Sequence, residues 1–141
     1  MLNTEKRNPR TTHLDQMTSE EIVRVIWEEN EAVQKALEKA LPAVARAVDA
    51  ATQVLLAGGR VFYLGAGTSG RLGVLDASEC PPTFGVTPET FTAVIAGGRD
   101  AVFRASENAE DDPERGAKDL AAAGFSARDL LVAISASGGP R

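Results

Sequence analysis

An apolar run, Val61 to Leu64, empties into the glycine loop Gly65-Ala-Gly-Thr-Ser-Gly-Arg71, and this junction constrains the fold more than any other stretch of the chain. A short apolar run closed by glycine is the pattern of a buried strand. Glycines 65, 67 and 70 permit backbone angles that a Cβ forbids, so successive N–H groups can converge on an anion at the start of a following helix. Thr68 and Ser69 add hydroxyl donors suited to the free oxygens of a phosphomonoester. The letters also satisfy G-x-G-x-x-G. Three readings stay open at this point: a sugar phosphate or similar monoester, a dinucleotide, and a plain tight turn.

The pattern that follows is strand, loop, helix, repeated. A strand over 60–64 and the loop 65–71 lead into a helix over roughly 70–78, which Pro81-Pro82 and a turn through Gly85 close. A second strand runs from Phe91 to Ala96 and ends on Gly97-Gly98. A helix is expected around 99–108, and another with Asp112 as N-cap and Pro113 at its first position, reaching Gly124. Leu130 to Ser135 reads as a third buried strand that empties into Ser135-Ala-Ser-Gly138. Apolar strands alternating with helices predict an α/β fold with a parallel sheet covered on both faces.

Ahead of the sheet, residues 1–17 are polar and read as an extended arm. Thr18-Ser-Glu-Glu21 is a capping box, with Met17 and Ile22 placed as a hydrophobic staple. Ile22, Ile26, Val33 and Leu37 then form one apolar stripe, with Trp27 as a partly buried anchor. Pro42 breaks or restarts the helix, and Val44, Val48, Leu55 and Leu56 carry a second stripe to Gly58-Gly59. The expected organisation is therefore an arm over 1–17, two helices over 18–59 and the sheet domain over 60–141. The sequence closes where the third strand should feed a helix, which reads as the N-terminal part of a larger fold.

Composition narrows the function. With 141 residues, 43% hydrophobic and 25% charged, the chain fits one ordinary core. A net charge of −5 without any basic stripe argues against a nucleic-acid partner or an anionic membrane. No apolar stretch is long enough to span a bilayer, and the N-terminus, with Glu5, Lys6, Arg7 and Arg10, lacks the apolar core of a signal peptide, so a cytoplasmic location is expected. One cysteine, Cys80, and one histidine, His13, leave no internal disulfide and no clustered zinc ligands. Cys80 reads as a small buried residue. Catalysis would rest on carboxylates and hydroxyls.

Ligands of open parallel sheets bind beyond the carboxyl ends of the strands. Three loops meet there: Gly65–Arg71, Gly97-Gly98-Arg99 and Ser135–Gly138. Serines in the first and third give a monoester two hydroxyl-bearing walls. A dinucleotide site wants an acid at the end of the second strand, where this chain has Ala96-Gly97-Gly98, with Asp100 slightly beyond. A serine-hydrolase elbow is disfavoured because Arg71, not glycine, stands two residues after Ser69. Two groups of acids could move protons: Glu79, within Asp76-Ala-Ser-Glu-Cys80 and pinned by Pro81-Pro82, and the cluster Glu107, Glu110, Asp111, Asp112. Asp112 also fits a plain N-cap, and the other acids of its cluster a solvated turn. Arg71 fits either phosphate binding or pairing with an acid.

Taken in order, Leu-Gly-Ala-Gly-Thr-Ser-Gly-Arg-Leu-Gly, Asp-Ala-Ser-Glu-Cys-Pro-Pro-Thr, Ile-Ala-Gly-Gly, Ala-Glu-Asp and Ala-Ser-Gly give the chain a close resemblance to the N-acetylmuramic acid 6-phosphate etherases. These are bacterial proteins of the sugar-isomerase (SIS) fold, related to glucokinase regulatory proteins. The resemblance covers nearly the whole chain, including the arm segments Thr4–Asn8 and Leu14–Met17. It implies cleavage of the lactyl ether of a phosphosugar to N-acetylglucosamine 6-phosphate and D-lactate, by elimination and then hydration, without metal or organic cofactor. By motif, Glu79 resembles the proton donor and Glu110 the second acid/base residue. Gly67, Thr68 and Ser69, with Ser135 and Ser137, resemble the phosphate wall. The proton-donor role calls for a carboxyl kept protonated near neutral pH by partial burial. Family members are about twice this length and act as homodimers with the site near the subunit interface. A non-catalytic SIS module that binds a phosphosugar and regulates a partner is the alternative, with an aldose–ketose isomerase of the same fold behind it.

Overall fold

The computed structural model describes residues 6–104 and 113–136. Glu107, Glu110, Asp111, Asp112, Ser137 and Gly138 lie outside the described residues, as does the later half of the helix expected over 99–108. The chain divides into two compact units, Met1–Val48 and Asp49–Arg141.

In the first unit the described part of the arm, residues 6–17, is folded rather than extended. Short 3-10 turns occupy Pro9–Thr11 and Leu14–Gln16, and Asn8 caps the first by accepting the Arg10 amide. Arg10 pairs with Glu28 and Glu29, whose acidic run thereby holds the arm as well as facing solvent. Helix α1 runs from Ser19 to Leu56. Its capping box forms as the sequence predicts: Glu21 accepts the Thr18 amide at 2.7 Å, and the Glu21 amide returns to the Thr18 hydroxyl at 3.3 Å. The two helices expected before the first strand are one, because α1 continues through Pro42. Proline there leaves only the Glu38 carbonyl without its intrahelical donor, a local loss that the turns on either side outlast. No residue of α1 is buried. Trp27, expected as a partly buried anchor, is 73% exposed, for nothing among the described residues packs over it.

The second unit holds a three-stranded parallel sheet in the order β2-β1-β3, with β1 Val61–Gly65, β2 Phe91–Ile95 and β3 Leu130–Ala133. Val61 pairs with Phe91 on one side and Leu130 on the other. Side chains alternate across β1, and the two faces are filled differently. Toward one face, Tyr63 lies against Gly73 of helix α2, Gly67–Phe84. Toward the other, the fully buried Phe62 meets Phe125 edge-on at 5.4 Å, and Leu64 reaches Gly116 of helix α3, Pro113–Ala122. At the amino end of the sheet Asp129, with its side chain only 3% exposed, accepts from Arg60 and Ser126 and joins the starts of β1 and β3.

Two expectations change. The helix after the glycine loop is longer than 70–78: it begins at Gly67, passes through Pro81 and Pro82, and stops only at Gly85, whose left-handed backbone (φ 68°) lets its amide return to the Pro81 carbonyl. The third strand is not buried. Its place at the sheet edge leaves Leu131 and Val132 37% and 36% exposed.

Candidate functional site

The strand order decides where the loops converge. From β1 the chain crosses to β2 on one side and returns to β3 on the other, so the carboxyl end of β1 is a topological switch point, the usual position of a ligand in an open parallel sheet. The glycine loop stands there. It is tighter than a loop. Ala66 has extended backbone, α2 begins at Gly67, and the first helical bond is Gly70 N–H to the Ala66 carbonyl at 3.2 Å. The amides of Gly67, Thr68 and Ser69 therefore have no intrahelical acceptor and carry the positive end of the helix dipole.

Close approach explains two of the glycines. A Cβ on Gly65 would stand 2.7 Å from the Gly70 nitrogen, and one on Gly70 would stand 2.5 Å from the Gly65 carbonyl oxygen. Only a glycine pair lets the helix start press directly against the strand end.

The two hydroxyls of the motif are not equivalent. Thr68 is exposed at the mouth of the turn, whereas Ser69 is buried and its Oγ accepts the Ala136 amide at 2.9 Å. That bond ties the loop after β3 to the loop after β1 and places the exposed Ser135 beside the helix start. Gly67, Thr68, Ser69 and Ser135 are thus brought together; Ser137 lies outside the described residues. The brace has no sequence signature, since any serine in the loop could face solvent instead.

Glu79 is elsewhere. It sits inside α2 rather than in a proline-fixed loop, exposed, ten residues beyond Ser69. At about 1.5 Å per residue that is about 15 Å down the helix axis, a gap that one hexose phosphate does not bridge. The partial burial that a proton donor calls for is not supplied by the described residues. Asp76 and Cys80 of α2 form a separate polar cluster with Tyr63 of β1: Tyr63 donates to Asp76 at 2.5 Å and the buried Cys80 thiol lies 3.9 Å from the same carboxylate. Burial and the Asp76 charge raise both the Tyr63 hydroxyl and the Cys80 thiol above their ordinary values, so both stay protonated. Cys80 is the inert residue the sequence suggested.

Arg71 pairs with no acid among the described residues. Its guanidinium donates to the Val102 and Arg104 carbonyls. Among the described residues no group of three or more His, Cys, Asp or Glu is placed to hold a metal ion, and no helix is long and apolar enough to cross a membrane. A cavity of about 670 Å³ opens at the other end of the sheet, between Leu55, Arg60, Phe84, Glu89 and Phe91, and none of the site residues lines it.

These features define a domain of the open parallel α/β class with a glycine-rich helix start at its switch point. Residues 43–140 match the family described as the glucokinase regulatory protein N-terminal SIS domain, and the chain belongs to that family. It is 53% identical over 137 residues to the N-acetylmuramic acid 6-phosphate etherase of Salinibacter ruber, 53% over 135 to that of Actinobacillus pleuropneumoniae and 54% over 134 to that of Pectobacterium atrosepticum. These alignments cover 97%, 96% and 95% of this chain and 44% of each relative. The chain spans less than half the length of the curated relatives it matches.

Proposed function

We propose that this chain belongs to an enzyme that cleaves the D-lactyl ether of N-acetylmuramic acid 6-phosphate, releasing D-lactate and N-acetylglucosamine 6-phosphate in the recycling of cell-wall amino sugars in the cytoplasm. The observation that carries the reading is the helix start at the switch point: three amides without an intrahelical acceptor and the Thr68 hydroxyl, with Ser135 brought near by the Ser69–Ala136 bond. This is a cradle for a compact dianion such as a phosphomonoester. The relatives, named for N-acetylmuramic acid 6-phosphate, supply the sugar.

In the open-chain sugar the C2 proton lies α to the C1 aldehyde and is acidic enough for a carboxylate base. Its removal builds negative charge that expels the lactyl oxygen from C3, and a carboxylic acid donates the proton that oxygen needs. Water then adds across the C2–C3 double bond. Glu79 takes the proton-donor role and Glu110 the second acid/base role, with Gly67, Thr68, Ser69, Ser135 and Ser137 around the phosphate. No step calls for a metal or an organic cofactor.

The distance from Glu79 to the helix start of its own chain supports a site shared between two copies in a homodimer, where Glu79 of one copy serves the phosphate held by the other. Release of D-lactate from N-acetylmuramate 6-phosphate, assayed with a protein of the relatives' full length carrying these residues, tests the reading. Lactate release that Glu79→Gln abolishes supports it, and phosphosugar binding with no lactate from the unaltered protein would overturn it in favour of a regulatory module.

A further inference from the structure

The glycine motif ends in Arg71, whose guanidinium donates to two backbone carbonyls beyond β2. Arg71 stands half-buried on the second turn of α2, directly behind Gly67, Thr68 and Ser69. It donates Nε–H to the Val102 carbonyl at 2.8 Å and Nη2–H to the Arg104 carbonyl at 3.2 Å. Both acceptors close the run that follows β2. That run is itself compact: Ala101 N–H bonds Gly98 at 3.0 Å, Phe103 and Arg104 both return to the Asp100 carbonyl, and Ala101 is 4% exposed. A planar guanidinium holds two carbonyls in one fixed geometry, which an ammonium cannot do, and bonds from a charged donor are stronger than neutral ones.

We propose that Arg71 is a positioning residue that locks the run after β2 to the helix start that holds the phosphate, so that these two walls of the site act as one piece. In sequence, Glu110 follows Arg104 by six residues. The proposal rests on the etherase reading for its kinetic consequence and on geometry alone for its structural one.

The test uses Arg71→Met and Arg71→Lys in a protein of the relatives' full length. Misplacing an acid/base group without touching the phosphate should lower kcat about 10- to 100-fold in Arg71→Met while KM moves by less than about threefold, with Lys restoring only part of the loss. Amide hydrogen exchange at Phe103 and Arg104 should become faster in Arg71→Met. A rise in KM at unchanged kcat would overturn the proposal, because it would put Arg71 on the phosphate itself. Unchanged exchange would overturn it as well. Should the unaltered protein release no lactate, the etherase reading fails by itself, and faster exchange at Phe103 and Arg104 would still support the lock.

Discussion

Ser69 and Ala136, 67 residues apart in sequence, are joined by one bond: the Ser69 hydroxyl accepts the Ala136 amide at 2.9 Å. It ties the loop after β3 to the one after β1. Ser69→Ala leaves that amide without its acceptor, and we expect a stability loss of about 1–3 kcal/mol together with weaker phosphosugar binding. Thr68→Val, at an exposed position, should weaken binding while stability stays within about 0.5 kcal/mol. Urea unfolding and a phosphosugar titration of both variants check the contrast; equal destabilisation would mean that the brace is not what distinguishes them.

Glu79 stands far down α2 from the glycine turn of its own chain, and the proposed site shared between two copies predicts that two defective proteins rescue each other. Glu79→Gln mixed with Thr68→Val/Ser135→Ala, at full length and after subunit exchange, should regain about one quarter of wild-type lactate release, from hybrid dimers holding one intact site. Each variant alone should be silent. No recovery in a mixture shown to contain hybrids would place Glu79 and the phosphate turn in the same copy.

Gly70→Ala drives a methyl to 2.5 Å from the Gly65 carbonyl oxygen and from the Ile95 side chain. The helix start must move off the strand end, at a cost of about 1–3 kcal/mol, and the aligned amides move with it. Thermal unfolding and ligand affinity should both fall. An unchanged affinity would show that the helix start is not the binding element.

The Arg60 guanidinium, followed by the Ser126 hydroxyl and amide, holds the Asp129 carboxyl well below its ordinary value. A carboxyl depressed in the folded state contributes stability that is complete above its unfolded value of about 3.9 and is lost as pH falls through the folded value. Asp129→Asn should therefore be less stable than the parent at pH 7, with the difference shrinking as the medium becomes more acid than about pH 4. The Glu21 carboxyl, lowered by the Thr18 amide and then the Thr18 hydroxyl, shifts both proteins alike and cancels in the comparison. Urea midpoints across this range give the test, and a difference that grew toward acid would contradict it.

Local chemistry was legible wherever it depended on near neighbours. The capping box at Thr18 and Glu21, the three strands and the glycine turn at 65–71 all follow from residues within a few positions of one another. Pro42 and Pro81-Pro82 misled for the same reason: a proline removes one donor, and whether a helix ends there depends on what the rest of the helix gains.

The sequence by itself therefore determined the three strands, the capping box, the hydroxyl and glycine content of the 65–71 turn, and the membership suggested by its motifs. Only the tertiary structure decided that β1 lies between β2 and β3, that Ser69 turns inward while Thr68 stays open, that Arg71 grips a distant backbone, and that Glu79 is carried away from the turn it was expected to serve. The reason is physical. Hydrogen bonds within a turn are set by neighbouring residues, whereas strand order and the meeting of loops 30 to 70 residues apart are set by how the whole sheet buries its faces.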